Sequence, residues 1–268
     1  MTSAMAELAC LNGSIAPAAE TSIPVTDEGL LRGYGAFEVV RVYDGRPYAL
    51  DEHLDRMAHS AAALRLDEPF PRADYQREAA ELLEARGGSD FDGCLRLVMT
   101  RGARRLLITE PLPPSPERIR LGFVTYAPTR VLDGVKSLSY AANVLCTQLA
   151  RERGFDEALM VTPHGRVLEA PTSSIFWVEQ SGVLCTPSLG ERILASITRD
   201  HLTRLVEVTE RPVTSEELLG AREAFLASTT REVQPVAAIE DTELPAPGEV
   251  TRKAAAAFRA HVEHALAK

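Results

Sequence analysis

Apolar positions along this chain change period several times, and each change predicts an element. From Leu50 to Leu66, the residues Leu54, Met57, Ala61 and Leu64 recur at three- and four-residue spacing. That is the period of a helix burying one face, and Asp51 stands where it would cap the first turn. Arg72 to Arg86 reads as a second amphipathic helix, stopped by Gly87-Gly88. Alternation takes over from Cys94 to Thr100 and again from Ile119 to Tyr126, predicting strands. Val39 to Tyr48 places Asp44-Gly45 between two β-rich runs, the signature of a tight hairpin. Pro111 to Pro116 is a loop.

Pro128 and Asp133-Gly134 break the pattern between Tyr126 and Gly134, which reads as a connector. Beyond it, Asn143 to Arg153 is helical and ends at Gly154. Ala158 to Thr162 and Val167 to Glu169 flank Pro163-His164-Gly165, while Ser174 to Glu179 and Val183 to Thr186 flank Gln180-Ser181-Gly182. These predict meandering antiparallel strands. Thr198 to Val208 is expected to be a helix, Ser215 to Leu219 a short one, Ala224 to Ala227 a buried strand and Val250 to Ala267 a closing helix. The expectation is an α/β (α+β) chain of two lobes: 1–126, a connector at 127–134, and 135–268, the larger, with mostly antiparallel strands.

With 268 residues, 45% hydrophobic and 25% charged, the chain can bury a core without disulfides or metals. No apolar run approaches a membrane span, and Met1 to Cys10 lacks the basic, apolar design of a signal peptide, so no membrane association is expected. A net charge of −9 repels phosphate backbones and argues against a nucleic-acid partner. Cys10, Cys94, Cys146 and Cys185 stand far apart without metal-ligand spacing. They read as reduced thiols of a cytoplasmic protein, with no metal site.

Of 29 lysines and arginines only Lys136, Lys253 and Lys268 are lysine. Arginine stays protonated, whereas a desolvated lysine can serve as base or amine nucleophile, so Lys136 stands out from an arginine background. The ordinary alternative is a solvated lysine. Glu169 ends a strand, either facing a cleft or exposed to solvent. Ala195-Ser196-Ile197-Thr198-Arg199 lies where a loop becomes a helix, where free amides favour an anion, or where Thr198 merely caps the helix. Ser228-Thr229-Thr230 comes after a buried strand and either completes a phosphate cup or caps the segment from Arg231 onward.

Taken in order, these segments fall into seven blocks between Gly29 and Val236. They are Arg32-Gly33-Tyr34-Gly35-Ala36-Phe37-Glu38, Leu50 to Arg56, Lys136 to Asn143, Gly154 to Leu159, Gly165 to Phe176, Ile197-Thr198-Arg199, and Thr229 to Val236. The chain resembles the class IV aminotransferases, the fold-type IV enzymes that use pyridoxal 5′-phosphate and include branched-chain and D-amino acid aminotransferases and aminodeoxychorismate lyase. The resemblance implies a small N-terminal α/β lobe, a larger cofactor-binding lobe with the cofactor between them, and a homodimer. It makes Lys136 the Schiff-base lysine and proton shuttle, and Glu169 the partner of the pyridine nitrogen. Arg56, Ile197, Thr198 and Thr229 fall on the cofactor phosphate. Thr230 falls near the substrate carboxylate, and Phe37 and Glu38 on the strand facing the substrate.

The implied reaction moves an amino group between an amino acid or amine and a 2-oxo acid. The alternative is 4-amino-4-deoxychorismate lyase, releasing p-aminobenzoate and pyruvate. Lyases tend to carry threonine where Glu38 stands, which favours transamination. Tyr34 replaces an acid common before the Phe-Glu pair, and Ser196 a common glycine. Arg104 and Arg105 follow Thr100-Arg101-Gly102 without the histidine of the D-specific carboxylate trap. They are either carboxylate-binding or surface arginines. His53, His59, His164, His201, His261 and His264 read as structural or solvated.

Overall fold

The computed structural model describes residues 7–66, 69–102 and 104–267. The first residues of the chain (1–6) and Lys268 lie outside that range. Two compact units emerge. One runs to Pro113 and includes Val135–Ser139, and the other comprises Pro114–Gly134 and Tyr140 onward.

The first unit contains β1 (Leu8–Leu11), β2 (Ser14–Pro17), α1 (Glu28–Arg32), β3 (Gly35–Tyr43), β4 (Arg46–Pro47), α2 (Leu50–Ala63), α3 (Arg72–Arg86), β5 (Gly93–Thr100) and β6 (Arg104–Glu110). Its antiparallel sheet has the order β2-β1-β6-β5-β3-β4. The β3–β4 turn takes positive φ at Asp44 (46°) and Gly45 (74°), the twist a two-residue hairpin needs. One face of the sheet presents Val40, Val42, Leu95, Leu97, Met99 and Leu107 to Leu54 and Met57 of α2 and to Tyr75 and Leu82 of α3. Each leucine buried there contributes on the order of 2 kcal/mol. α3 has the predicted limits and stops at Gly87. Asp51 is not the cap of α2: Ala49 occupies that place in left-handed conformation, and Asp51 lies in the first turn, where its carboxylate accepts from Gln76.

The second unit contains β7 (Ile119–Thr125), α4 (Ala141–Glu152), β8 (Glu157–Val161), β9 (Ser174–Val178), β10 (Leu184–Thr186), α5 (Ile197–Leu205), β11 (Thr209–Glu210), α6 (Ser215–Leu218), β12 (Glu223–Ser228), β13 (Glu232–Ile239), β14 (Thr242–Glu243) and α7 (Glu249–Leu266). Its sheet runs β11-β10-β9-β12-β13-β7-β8, with β14 on β13. The pairings of β9, β10, β12, β13 and β14 with one another are antiparallel as expected. Those of β7 with β13 and β8, and of β10 with β11, are parallel. Because β7 pairs into this sheet, the chain leaves the first unit at Pro113, ahead of the boundary expected at 126. α5 ends at Leu205, short of the predicted Val208, because Val206 turns extended (φ −134°, ψ 157°) and leads into β11. No helix of the described residues is long and apolar enough to cross a membrane.

Candidate active site

In the first unit, Lys136 is held by backbone on one side and a helix on the other. Phe37 N–H donates to the Lys136 carbonyl (3.1 Å), and Leu138 N–H to that of Gly35 (2.8 Å). The Lys136 N–H donates to Ser60 Oγ on α2 (3.1 Å). The segment thus adds a short rung to the front half of β3, beyond the reach of β4. Glycines make the approach feasible. A Cβ at Gly35 would lie 2.5 Å from the Met99 carbonyl oxygen and 2.6 Å from Leu138, and Gly33 (φ 64°) backs onto Ser139. Tyr34 leaves the loop's shape to these glycines and donates its hydroxyl to the Leu64 carbonyl (2.7 Å).

The Lys136 Nζ lies 4.4 Å from the Phe37 ring centroid. Strand alternation then separates Phe37 from Glu38. Glu38 does not share the face of Phe37: it points to α2, fully buried, against His53 and Arg56. Arg56 grips it with both arms (Nε–Oε1 2.7 Å, Nη2–Oε2 2.6 Å), and His53 Nδ1 approaches Oε2 at 2.8 Å. Burial alone would raise the Glu38 pKa, but the charge and hydrogen bonds of Arg56, with those of His53, hold it at about 2. Burial pulls the His53 pKa down, Glu38 opposes, and Arg56 and Lys136 push it further down. An ionised Glu38 only accepts, so a neutral His53 must carry its proton on Nδ1. His53 is structural, as expected, and tied to Arg56 through Glu38.

Arg104 and Arg105 occupy opposite faces of β6. Arg104 shares the Phe37 face through paired positions Gly35, Thr100 and Arg104, and it forms an ion pair with the buried Asp27, which also caps α1. Arg105 lies on the helix-covered face, away from Phe37, and is clamped by Glu78 of α3 (2.6 and 3.1 Å). Arg96, missed by sequence reading, stands on the Phe37 face 5.7 Å from that ring and pairs with Glu110 (2.7 and 2.9 Å). Its alternation with Val98 and Thr100 was the available signal.

In the second unit, Glu169 Oε1 accepts from the Leu194 N–H (3.0 Å), and its carbonyl accepts from Met160 N–H of β8 (3.0 Å). The turn after it is fastened at Pro171, whose carbonyl accepts from Tyr140 Oη (2.6 Å) and Asn143 Nδ2 (2.8 Å). Three residues past Leu194, α5 begins. Its cap is Ser196, not Thr198. The Ser196 hydroxyl accepts from Arg199 N–H (3.3 Å), leaving the amides of Ile197 and Thr198 without an acceptor among the described residues at a buried helix start. α5 packs against β12 and α7. Thr229 and Thr230 form the loop between β12 and β13, beside Ser228, whose buried Oγ has no hydrogen-bond partner among the described residues.

The sequence pattern of the amino-transferase class IV family matches residues 35–239, most of the chain. The chain belongs to the class IV amino-transferases. This aminotransferase is 34% identical to a protein of Methanocaldococcus jannaschii provisionally named a branched-chain-amino-acid aminotransferase, over 93% of its own length and 94% of the relative's. It is 31% identical to a D-alanine aminotransferase of Bacillus licheniformis, over 96% and 98%. The crystal structure of a branched-chain aminotransferase from Thermoproteus uzoniensis with norvaline superposes at a TM-score of 0.86, with 28% identity, covering 96% of this chain and 95% of that one.

Proposed function

We propose that this aminotransferase uses pyridoxal 5′-phosphate to move an amino group between an amino acid or amine and a 2-oxo acid, with Lys136 as its catalytic amine. The observation that carries the reading is the family match. It spans residues 35–239 and includes Arg56, Lys136, Glu169, Ile197, Thr198 and Thr229, all the residues given cofactor roles. The donor set fits a phosphate-bearing cofactor: two unspent helix-start amides, the Thr198 and Thr229 hydroxyls, and the orphaned Ser228 hydroxyl suit a dianion. When bound, the cofactor supplies an electron sink for negative charge at the substrate α-carbon.

The remaining chemistry belongs to the chain. Lys136 would hold the cofactor through its amine, and the same amine would take and return the α-proton. Ser60 and β3 hold its backbone, and Phe37 flanks its amine. Glu169, steadied by the Leu194 amide, keeps a proton on the ring nitrogen. Arg56 is already engaged by Glu38, so this carboxylate orients its guanidinium while it binds phosphate. Thr230 binds the substrate carboxylate, and Phe37 and Arg104 bound the substrate. A homodimer in the cytoplasm is part of the same proposal, checked by light scattering of the purified protein.

The test is spectroscopic and chemical. The purified protein is expected to be yellow with the cofactor and to bleach with an amino donor, and Lys136→Ala is expected to lose both. A wild type that binds no pyridoxal phosphate ends the reading. Half-reactions with D-alanine, L-alanine, L-leucine and an (R)-amine are run beside p-aminobenzoate release from aminodeoxychorismate. Fast release without any half-reaction would replace transamination by the lyase.

A further inference from the structure

The loop between β12 and β13 has three residues, Thr229, Thr230 and Arg231. The functional reading above gives the first two to the phosphate and the substrate, and the third is tied into the second unit's interior. The Arg231 guanidinium meets Glu157, the first residue of β8 (Nη2–Oε2 2.8 Å), and the side-chain oxygen of Gln234. The Glu157 side chain is 5% exposed and that of Arg231 19%. The other Glu157 oxygen accepts from Thr147 Oγ1 of α4 (2.5 Å) and from Ala158 N–H (3.1 Å). Gln234 in turn donates to Ser115 Oγ and to the Pro116 carbonyl, each at 2.7 Å. The loop is therefore pinned to β8, to α4 through Glu157, and to the segment before β7.

A buried ion pair contributes little net stability over an apolar pair of similar size, so stability alone does not account for it. What it confers is geometry. A planar guanidinium held on two sides has one orientation, and the residue it belongs to directly follows two threonines. Both carboxylate oxygens of Glu157 are occupied, so the anchor cannot rotate to follow a drifting loop.

We propose that the Arg231–Glu157 pair is a positioning device that fixes the Thr229–Thr230 loop for the cofactor phosphate and the substrate carboxylate. Neither Arg231 nor Glu157 touches the reacting atoms. This rests on the functional reading above. It predicts loss of binding with little loss of chemistry, because the loop's residues hold groups that do not change bonds.

The experiment compares full-length Arg231→Met, Arg231→Lys, Glu157→Gln and the double variant R231M/E157Q with wild type. Cofactor affinity is measured by absorbance titration of the apoprotein with pyridoxal phosphate, and loop motion by hydrogen exchange of the 228–233 peptide. Half-reactions give KM and kcat separately. Arg231→Met is expected to raise both the cofactor Kd and the KM about tenfold. Loop exchange should quicken, and kcat should move less than about threefold. Arg231→Lys should recover part of the loss, and the double variant should be no worse than the worse single one, because one interaction is removed in either case. If Arg231→Met does not fold, Glu157→Gln, which keeps the side-chain volume, carries the same expectation. Unchanged Kd, KM and loop exchange would overturn the proposal, as would a fall confined to kcat or strictly additive losses. A wild type that binds no pyridoxal phosphate would instead fail the functional reading. Binding that weakens in Thr229→Val but not in Arg231→Met would fail this inference alone.

Discussion

Several carboxylates of this aminotransferase, three in one unit and two in the other, are held by different means. In the first unit, Asp27, Glu38 and Glu78 meet the side chains of Arg104, Arg56 and Arg105, and Asp27 accepts from the Gly29 amide as well. On the eight-stranded sheet, Glu169 accepts from the Leu194 amide, and Glu223 from the amides of Val250 and Thr251 at the start of α7 (3.3 and 2.9 Å). Glu157 combines both, with Arg231 on one oxygen and an amide on the other. A side-chain counter-ion is a single residue that one substitution removes. An amide donor belongs to the backbone and stays wherever the chain runs. The first unit is accordingly expected to be sensitive to point changes at its charges, and the second to be more tolerant.

The largest effect stands outside that comparison and sets its scale. Lys136→Ala is expected to lower kcat by about a thousandfold or more, since it removes the proton-transferring amine. Stopped-flow half-reactions measure it, and a variant within tenfold of wild type would move the catalytic amine elsewhere.

Next comes the pair that tests the comparison directly. Glu38→Gln leaves the Arg56 charge buried without its counter-ion and is expected to destabilise folding by about 3 kcal/mol. Glu223→Gln keeps one acceptor oxygen for the Thr251 amide and hydroxyl and loses the weaker Val250 bond and the charge at a helix start, about 1 kcal/mol. Urea unfolding of both variants decides. Equal losses would erase the distinction between the units.

Acid should reach the first unit in two steps. Unfolded His53 takes up a proton near its ordinary 6.5, while the buried ring resists, so folding loses stability as pH falls through that value. The contribution of Glu38 is complete above its ordinary 4.5 and is lost as pH falls toward about 2, where the folded carboxyl protonates. His53→Asn, which can still donate to Glu38, should flatten the decline between pH 7 and 5 without altering the lower step. An unchanged slope across that window would remove His53 as its source.

The smallest effect belongs to a cap. Ser196→Gly, which restores the glycine common in the family, is expected to destabilise α5 by only a few tenths of a kcal/mol. Thermal unfolding would show a shift of about 1 °C, and a shift above about 5 °C would mean that the hydroxyl does more than cap.

Long, strongly periodic segments were legible in the sequence: α3 appears with its predicted ends, and α2 and β5 nearly so. Elements that depend on partners were not. β6 begins with two arginines, and no element was expected there; pairing with β5 and β1 makes it a strand. β13 contains Pro235, which argues against a strand. It is accommodated because the residues up to Pro235 pair with β12 and those beyond it with β7. Among site residues, the types and order of Lys136, Glu169 and Ile197-Thr198 were readable, but their contacts were not. Arg105 looked equivalent to Arg104 until the register placed them on opposite faces. Glu38 looked like a neighbour of the substrate until alternation turned it toward α2.

By itself the sequence determined what depends on neighbours along the chain: helical period, turn glycines, the scarcity of lysine and the ordered blocks of the family. Tertiary structure decided what depends on distance across it. It showed that Arg56 reaches Glu38, that Ser60 holds the Lys136 backbone, and that Ser196 caps α5 and leaves two amides unspent. The physical reason is that ion pairs and hydrogen bonds act over a few ångströms, while their partners here stand from 3 to 76 residues apart. Only the folded chain brings such partners within reach.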